Sequence, residues 1–410
     1  MMSVIKKMGK ENLYKNAFWL TVNFISLSLF GFFFWTINTR LFSVEQVGLA
    51  STLIASFQLI MGISLLGFNV TLIRYLPLSK DKGRITGSCF IISGLVALIV
   101  SILFLLLIPV FSPEMIFVTQ NPLFIMLFVL FSAFTTTYML IESVFIAYRK
   151  SKFVFLKNLF FNAIRLILPF GLVFLGAFGI FSSWAIAAVV SLIISLFFMQ
   201  IPFKLTIDRK IIRKILSFSS GNYAANLLQY APITILPIMI TSIISPAVTA
   251  YFYLAWMMAT IIFFIPQATA HSLLVEGSHD TNGIRKKVKK AFYFSFLLVI
   301  PGAIIVFFTA KYLLLIFGKP YSENAFQLLK ILAISSIPLT INTIYVSLKN
   351  IQHKIKNVII VNLLIALGTI GGSVLMVKHG LAWIGVCWLS SHVLINFFVI
   401  GELITFFKNE

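Results

Sequence analysis

The chain has 410 residues, of which 60% are hydrophobic and only 10% charged, a balance that excludes a water-soluble globule of two or three domains. Its 32 Lys and Arg against 11 Asp and Glu give a net charge of +21, which in a soluble protein would point to nucleic acid. Here the basic residues fall between long apolar stretches, so the composition predicts an integral membrane protein whose helices satisfy their own backbone hydrogen bonds.

Charge-free stretches give the spans in chain order: 16–39, 46–73, 86–113 and 115–141, then one helix over about 155–176 and another over about 180–203, separated at Gly176-Ala-Phe-Gly179. The stretch 215–275 is too long for one span and is predicted to divide at Thr241 to Pro246, where Ser and Pro turn the chain. Spans over 291–310, 331–348, 357–377 and 380–401 complete twelve. The first follows Lys6, Lys7, Lys10 and Lys15 without a small-residue cleavage site, and reads as an uncleaved anchor.

Basic residues concentrate in alternate connections: the N-terminal tail, 74–84, 149–157, 204–214, 285–290, 349–356 and Lys408. The opposite connections hold Arg40, Lys311, Lys319 and Lys378. This asymmetry predicts that both termini are cytoplasmic and makes the charge topogenic, facing anionic membrane lipid and not nucleic acid. Connections on the opposite side are short and carry Glu45, Glu114 and Glu323 as their carboxylates, which argues against an external catalytic centre. Cys89 and Cys387 lie in apolar runs and the five His are scattered, so neither a disulfide framework nor a metal site is expected. No phosphate-binding Gly-x-x-x-x-Gly-Lys-Ser/Thr loop is present, and no cofactor is expected.

Shifted by 204 residues, the second half meets the first. Arg149-Lys150-Ser151-Lys152 aligns with His353-Lys354-Ile355-Lys356, Asn158 with Asn362, Gly176 with Gly380 and Trp184 with Trp388. Two six-helix lobes follow, 1–205 and 206–410. Because six is even, both enter the membrane in the same direction, as a parallel pseudo-two-fold repeat with substrate between them.

Several spans carry polar stripes, which are costly in lipid and therefore candidates for an interior or a wet path. Asn158, Asn162 and Arg165 share one face of the fifth span, before Pro169. Thr135, Tyr138 and Glu142 line the fourth, placing Glu142 opposite Asn158 or Arg165. That carboxylate is either an ion-coupling group or half of a buried ion pair. The seventh span presents Asn222, Asn226 and Gln229 ahead of Pro232 and Pro237, and the eighth presents Gln267 and His271 beside Pro266. Arg40 and Arg74, at the ends of the first and second spans, suit bidentate contact with phosphate.

The stretches Arg40 to Gly48 and Gly67 to Arg74 resemble the opening of bacterial oligosaccharide flippases of the Wzx type, in the multidrug/oligosaccharidyl-lipid/polysaccharide exporter (MOP) superfamily. The resemblance implies an all-α, polytopic protein of the bacterial cytoplasmic membrane, not an enzyme. It implies translocation of an undecaprenyl-diphosphate-linked oligosaccharide repeat unit by alternating access, for surface polysaccharide or O-antigen synthesis. Polysaccharide polymerase and chain-length machinery are the protein partners expected alongside it. In that setting Arg40, Arg74 and Arg165 would neutralise the diphosphate, and Asn222, Asn226, Gln229, Gln267 and His271 would hydrogen-bond the glycan. A cation-coupled exporter of drugs or other lipids in the same superfamily is the nearer alternative, and a membrane-embedded glycan polymerase or glycosyltransferase the more distant one. The first would want more buried carboxylates, the second longer loops.

Overall fold

The computed structural model describes the backbone of residues 2–79, 81–199, 204, 206–207, 209–279 and 283–408, and side chains over the same ranges except 2–15, 17, 198–199, 209–220 and 279. Among the described residues thirteen α-helices run α1 (Met2–Leu41), α2 (Val44–Ser64), α3 (Phe68–Tyr75), α4 (Lys82–Phe111), α5 (Pro122–Ala147), α6 (Ser151–Gly171), α7 (Ala177–Met199), α8 (Arg209–Ile243), α9 (Pro246–His279), α10 (Ile284–Leu315), α11 (Lys319–Ile351), α12 (Ile355–Met376) and α13 (Leu381–Lys408). All but the eight-residue α3 are long and apolar enough to cross a membrane, giving twelve spans, and no strand occurs among the described residues. Each span overlaps one expected from the sequence.

One expected helix is broken. The charge-free stretch 46–73 reads as a single span, yet α2 stops at Ser64, Leu66 and Gly67 take left-handed φ of 49° and 76°, and α3 starts afresh at Phe68. Glycine takes that conformation without a Cβ clash, which makes Gly67 the pivot. Local chemistry sets other ends. Ser43 and Gln46 form a reciprocal capping box opening α2, with Gln46 N–H on Ser43 Oγ at 3.3 Å and Ser43 N–H on Gln46 Oε1 at 3.2 Å. Asp81 caps α4, Asn121 caps α5, and Pro246 begins α9 where the sequence places a turn.

The chain divides into two compact units, 1–223 and 224–410. In the first, α1 lies along α6, and α2, α5 and α7 meet around an aromatic centre. There Phe57 meets Phe128, Phe181 and Trp184 edge-on, and Phe124 stacks on Phe178 at 3.9 Å. In the second, α11 is central, running along α9, α10 and α13, with Ile262, Val299 and Ala333 in one buried contact. Leu106, Phe111, Phe174 and Phe197 in the first unit and Phe308, Phe397 and Phe398 in the second are exposed, as suits surfaces solvated by lipid. Buried Ser51, Thr52, Ser56 and Thr136 return their hydroxyls to carbonyls one turn back, so these four enter the interior without stranded donors.

The sequence repeat has a structural counterpart in each unit. After α5, Arg149 takes φ 56° and Lys150 N–H bonds Phe145 O at 2.9 Å; after α11, His353 takes φ 56° and Lys354 N–H bonds Lys349 O at 2.9 Å. These are the same helix-ending reversal, each with a non-glycine residue in the left-handed region. Further on, α6 and α12 both give way to a short 3-10 turn, over 173–175 and 377–379, followed by a positive-φ glycine, Gly176 or Gly380.

Candidate functional site

The first unit holds a connected polar network on α1, α5, α6 and α7. On α6 the residues Val154, Lys157, Asn158, Phe161, Asn162 and Arg165 are buried, a 3-and-4 spacing that turns one face inward. Tyr138 OH donates to Asn158 Oδ1 at 2.6 Å, and Asn158 Nδ2 donates to Asn23 Oδ1 at 2.9 Å and to Glu142 Oε2 at 3.4 Å. Lys157 Nζ reaches Glu142 Oε2 at 3.1 Å and Tyr138 O at 3.3 Å, and sits 3.6 Å from the Tyr138 ring centroid. Ser191 Oγ on α7 donates to Lys157 O at 2.6 Å.

Glu142 therefore does meet Asn158, but its ionic partner is Lys157 and not Arg165. Lys157, counted in the sequence with the basic 149–157 connection and also inside the helix expected over about 155–176, is a buried member of α6. Arg165 is also buried, with its guanidinium over the Phe34 and Phe161 rings at 5.2 and 4.8 Å. Beside it Asn162 is fully buried, and neither atom of its amide has a hydrogen-bond partner among the described residues.

The second unit holds two polar clusters on α11 and α13. Lys349 Nζ pairs with Glu402 Oε2, which also accepts from Tyr345 OH at 3.0 Å. Tyr, Lys and Glu thus recur as a trio in both units, joining α5 to α6 in the first and α11 to α13 in the second. The other cluster joins Asn342 Nδ2 to His392 Nδ1 at 3.0 Å and to His392 O at 3.1 Å, and Asn396 Nδ2 to Pro338 O at 3.1 Å. His392 stands out in no sequence pattern, since its partner lies 50 residues away.

The other expected site residues are separately placed. Arg40 ends α1 and Arg74 ends α3, both exposed. On α8, Asn222, Asn226 and Gln229 are exposed while Ala225, Pro232, Leu236 and Ile240 are buried; on α9, Thr260, Gln267 and His271 are exposed along one face while Ile262, Phe263 and Pro266 are buried. Each face is polar and uncovered inside a span. No cluster of three or more His, Cys, Asp or Glu able to hold a metal occurs among the described residues.

A family model described as polysaccharide biosynthesis protein matches residues 13–271. The chain belongs to that family. No curated protein matches it by sequence. Among solved structures this polysaccharide biosynthesis family member is similar to an inward-facing multidrug resistance MATE family transporter of the MOP superfamily, with 13% identity, TM-score 0.72, and coverage of 93% of this chain and 96% of that one. It is similar to the lipid II flippase MurJ in an inward closed conformation, with 12% identity, TM-score 0.72, and coverage of 93% and 87%. A MOP superfamily transporter from Pyrococcus furiosus, described as having a binding pocket of reverse polarity, matches at 10% identity and TM-score 0.59 over 98% and 97% of the two chains. At such identities the likeness is one of fold, and it is the fold expected of a Wzx-type member of the MOP superfamily.

Proposed function

We propose that this polysaccharide biosynthesis protein is a flippase that carries an undecaprenyl-diphosphate-linked oligosaccharide repeat unit from the cytoplasmic to the outer leaflet of the bacterial inner membrane, with both termini cytoplasmic. The observation that carries the reading is that α8 and α9 each present a polar face. Asn222, Asn226, Gln229, Gln267 and His271 are exposed within spans. Five such groups turned to hydrocarbon would be costly, so these faces meet water or a hydroxyl-rich cargo. In this reading those five side chains hydrogen-bond the glycan, and Arg40, Arg74 and Arg165 balance the diphosphate while the prenyl tail stays in lipid. Family membership and the fold shared with a lipid II flippase support the same assignment.

A cationic drug is the weaker cargo. Glu142 and Glu402, two of the carboxylates within spans, are each already paired with a lysine. The test is transfer of a fluorescent undecaprenyl-diphosphate-linked sugar across proteoliposome membranes, read by its accessibility to an added glycosidase. Native protein is expected to accelerate transfer, with Arg74→Ala and Arg165→Ala cutting the rate at least tenfold while both variants remain folded in the membrane. Normal transfer, or normal surface polysaccharide, in both variants would overturn the phosphate assignment.

A further inference from the structure

The seam of α11 and α13 in the second unit contains an imidazole whose hydrogen bonds fix its protonation state. Asn342 Nδ2 lies 3.1 Å from the carbonyl oxygen of His392 and 3.0 Å from Nδ1 of the same residue. A carbonyl oxygen only accepts, so the nitrogen end of the Asn342 amide must face His392, and Nδ1 must accept from it. The ring is therefore neutral, with its proton on Nε2. Nε2 is buried without a partner among the described residues, and so are Asn342 Oδ1 and Asn396 Oδ1. The seam thus holds two spare carbonyl oxygens near a ring that would present two N–H groups if it took a second proton.

We propose that this seam is the proton site of the transport cycle, with His392 Nδ1 the atom that takes the proton. The inference rests on reading the chain as a gradient-driven transporter. A hydronium gives its proton to the Nδ1 lone pair; its O–H bond breaks, water leaves, and Nε2 keeps its own hydrogen. Two donors, Nδ1–H and the Asn342 amide, then oppose each other. The amide must turn so that Oδ1 accepts from Nδ1–H, which withdraws Nδ2 from His392 O. The second N–H takes a spare oxygen such as Asn396 Oδ1, whose own Nδ2 is tied to Pro338 O. Pro338 lies inside α11 and leaves the Ile334 carbonyl without its amide partner, so the seam repacks beside a helix already weakened against bending. Proton binding favours whichever conformation admits water to the ring, which is the differential affinity that coupling requires.

No charged side chain lies against the imidazole among the described residues. Its partners are Asn342 and the Trp388 ring, whose centroid is 4.4 Å away and which in turn contacts Trp256 of α9. The titratable groups closest in sequence to Asn342 and His392 are Tyr345 and Lys349 on α11 and Cys387 and Glu402 on α13; Lys349, Tyr345 and Glu402 are closed on one another. Lys356 lies in the first turn of α12, and α9 carries Tyr251, Tyr253, His271 and Glu276; none of them hydrogen-bonds the ring nitrogens among the described residues.

Trp388 supplies a probe that needs no cargo, because an imidazolium against an indole quenches its emission. In nanodiscs, native emission is expected to fall through a single transition between pH 8 and pH 5 that is absent in His392→Gln and in Trp388→Phe. In Asn342→Asp the midpoint should rise, since a carboxylate accepts from Nδ1–H and holds the charged ring. Flat native emission, a transition that survives His392→Gln, or a midpoint unmoved in Asn342→Asp would each overturn the proposal. In proteoliposomes, a pH difference of one unit should raise the native rate of lipid-linked sugar transfer severalfold. That ratio should drop to one in His392→Gln and persist in Glu142→Gln. Native transfer indifferent to the pH difference overturns the proton site and leaves the flippase reading standing. Absence of transfer under any gradient overturns the flippase reading, and the emission titration then decides the site alone.

Discussion

Removing either partner of the Glu142–Lys157 pair should destabilise the first unit by unequal amounts. The lysine side chain is 1% exposed and the carboxylate 29%. Glu142→Ala strands an ammonium whose remaining contacts are the Tyr138 carbonyl and ring, and breaking a buried pair in this way costs about 3–5 kcal/mol. Lys157→Met keeps the aliphatic packing and leaves a carboxylate that retains Asn158 Nδ2 and an open side, so the cost should be nearer ~1–2 kcal/mol, discounted for screening. The double variant should fall short of additivity by at least about 2 kcal/mol, because neither charge is left alone. Unfolding by SDS titration in mixed micelles measures all four free energies. Equal losses from the two single variants would refute the premise that the open side of Glu142 is hydrated, and strict additivity would refute the pair itself.

Three further outcomes follow from close approaches and caps. A Cβ on Gly179 would lie 2.1 Å from Leu172 O and one on Gly87 1.9 Å from Lys204 O, so Gly179→Ala and Gly87→Ala should each cost about 1–3 kcal/mol in the same titration, against near-neutral Gly94→Ala, where the space is open. Asn362→Leu removes the 2.9 Å bond to Ala225 O, a carbonyl inside α8 that keeps its helical partner, so the expected loss is about 0.5–1.5 kcal/mol. Outside the membrane, Asp81 is held below the ordinary carboxylate range by the Arg84 backbone N–H first and by Lys204 second. A depressed carboxylate stabilises the fold above its unfolded value and loses that contribution as pH falls through the folded one. The melting-temperature gap between native protein and Asp81→Asn should therefore hold constant from neutrality to the ordinary carboxylate range and close only below it.

Span number and order were legible because hydrocarbon imposes one requirement on every crossing segment, and the turns at Gly176 and Pro246 are marked by residues that cannot continue a helix comfortably. The break at Leu66–Gly67 was hidden because hydropathy is blind to a left-handed residue among apolar neighbours. The pairing of Lys157 was also hidden: a lysine near a span end looks topogenic until its carboxylate, 15 residues back, is brought across the α5–α6 turn. The stripe of Asn158, Asn162 and Arg165 was visible from spacing alone and is buried as one face. The α11–α13 contacts were not visible at all, since helices that neighbour in space without adjoining in sequence leave no periodic trace.

The two Tyr–Lys–Glu trios differ in the order of their making. Glu142 leaves the ribosome before Lys157, and a tight turn joins their helices, so the acid and base can enter the bilayer together as a hairpin. Lys349 precedes Glu402 by 53 residues with a whole span between them. At ordinary synthesis rates that is a wait of roughly 3–10 s during which α11 must keep its charge at the headgroups or in the insertion machinery. Final seating of the tenth crossing is thus delayed until the last one arrives, and a nascent chain stalled before Glu402 should present Lys349 to quality-control proteases.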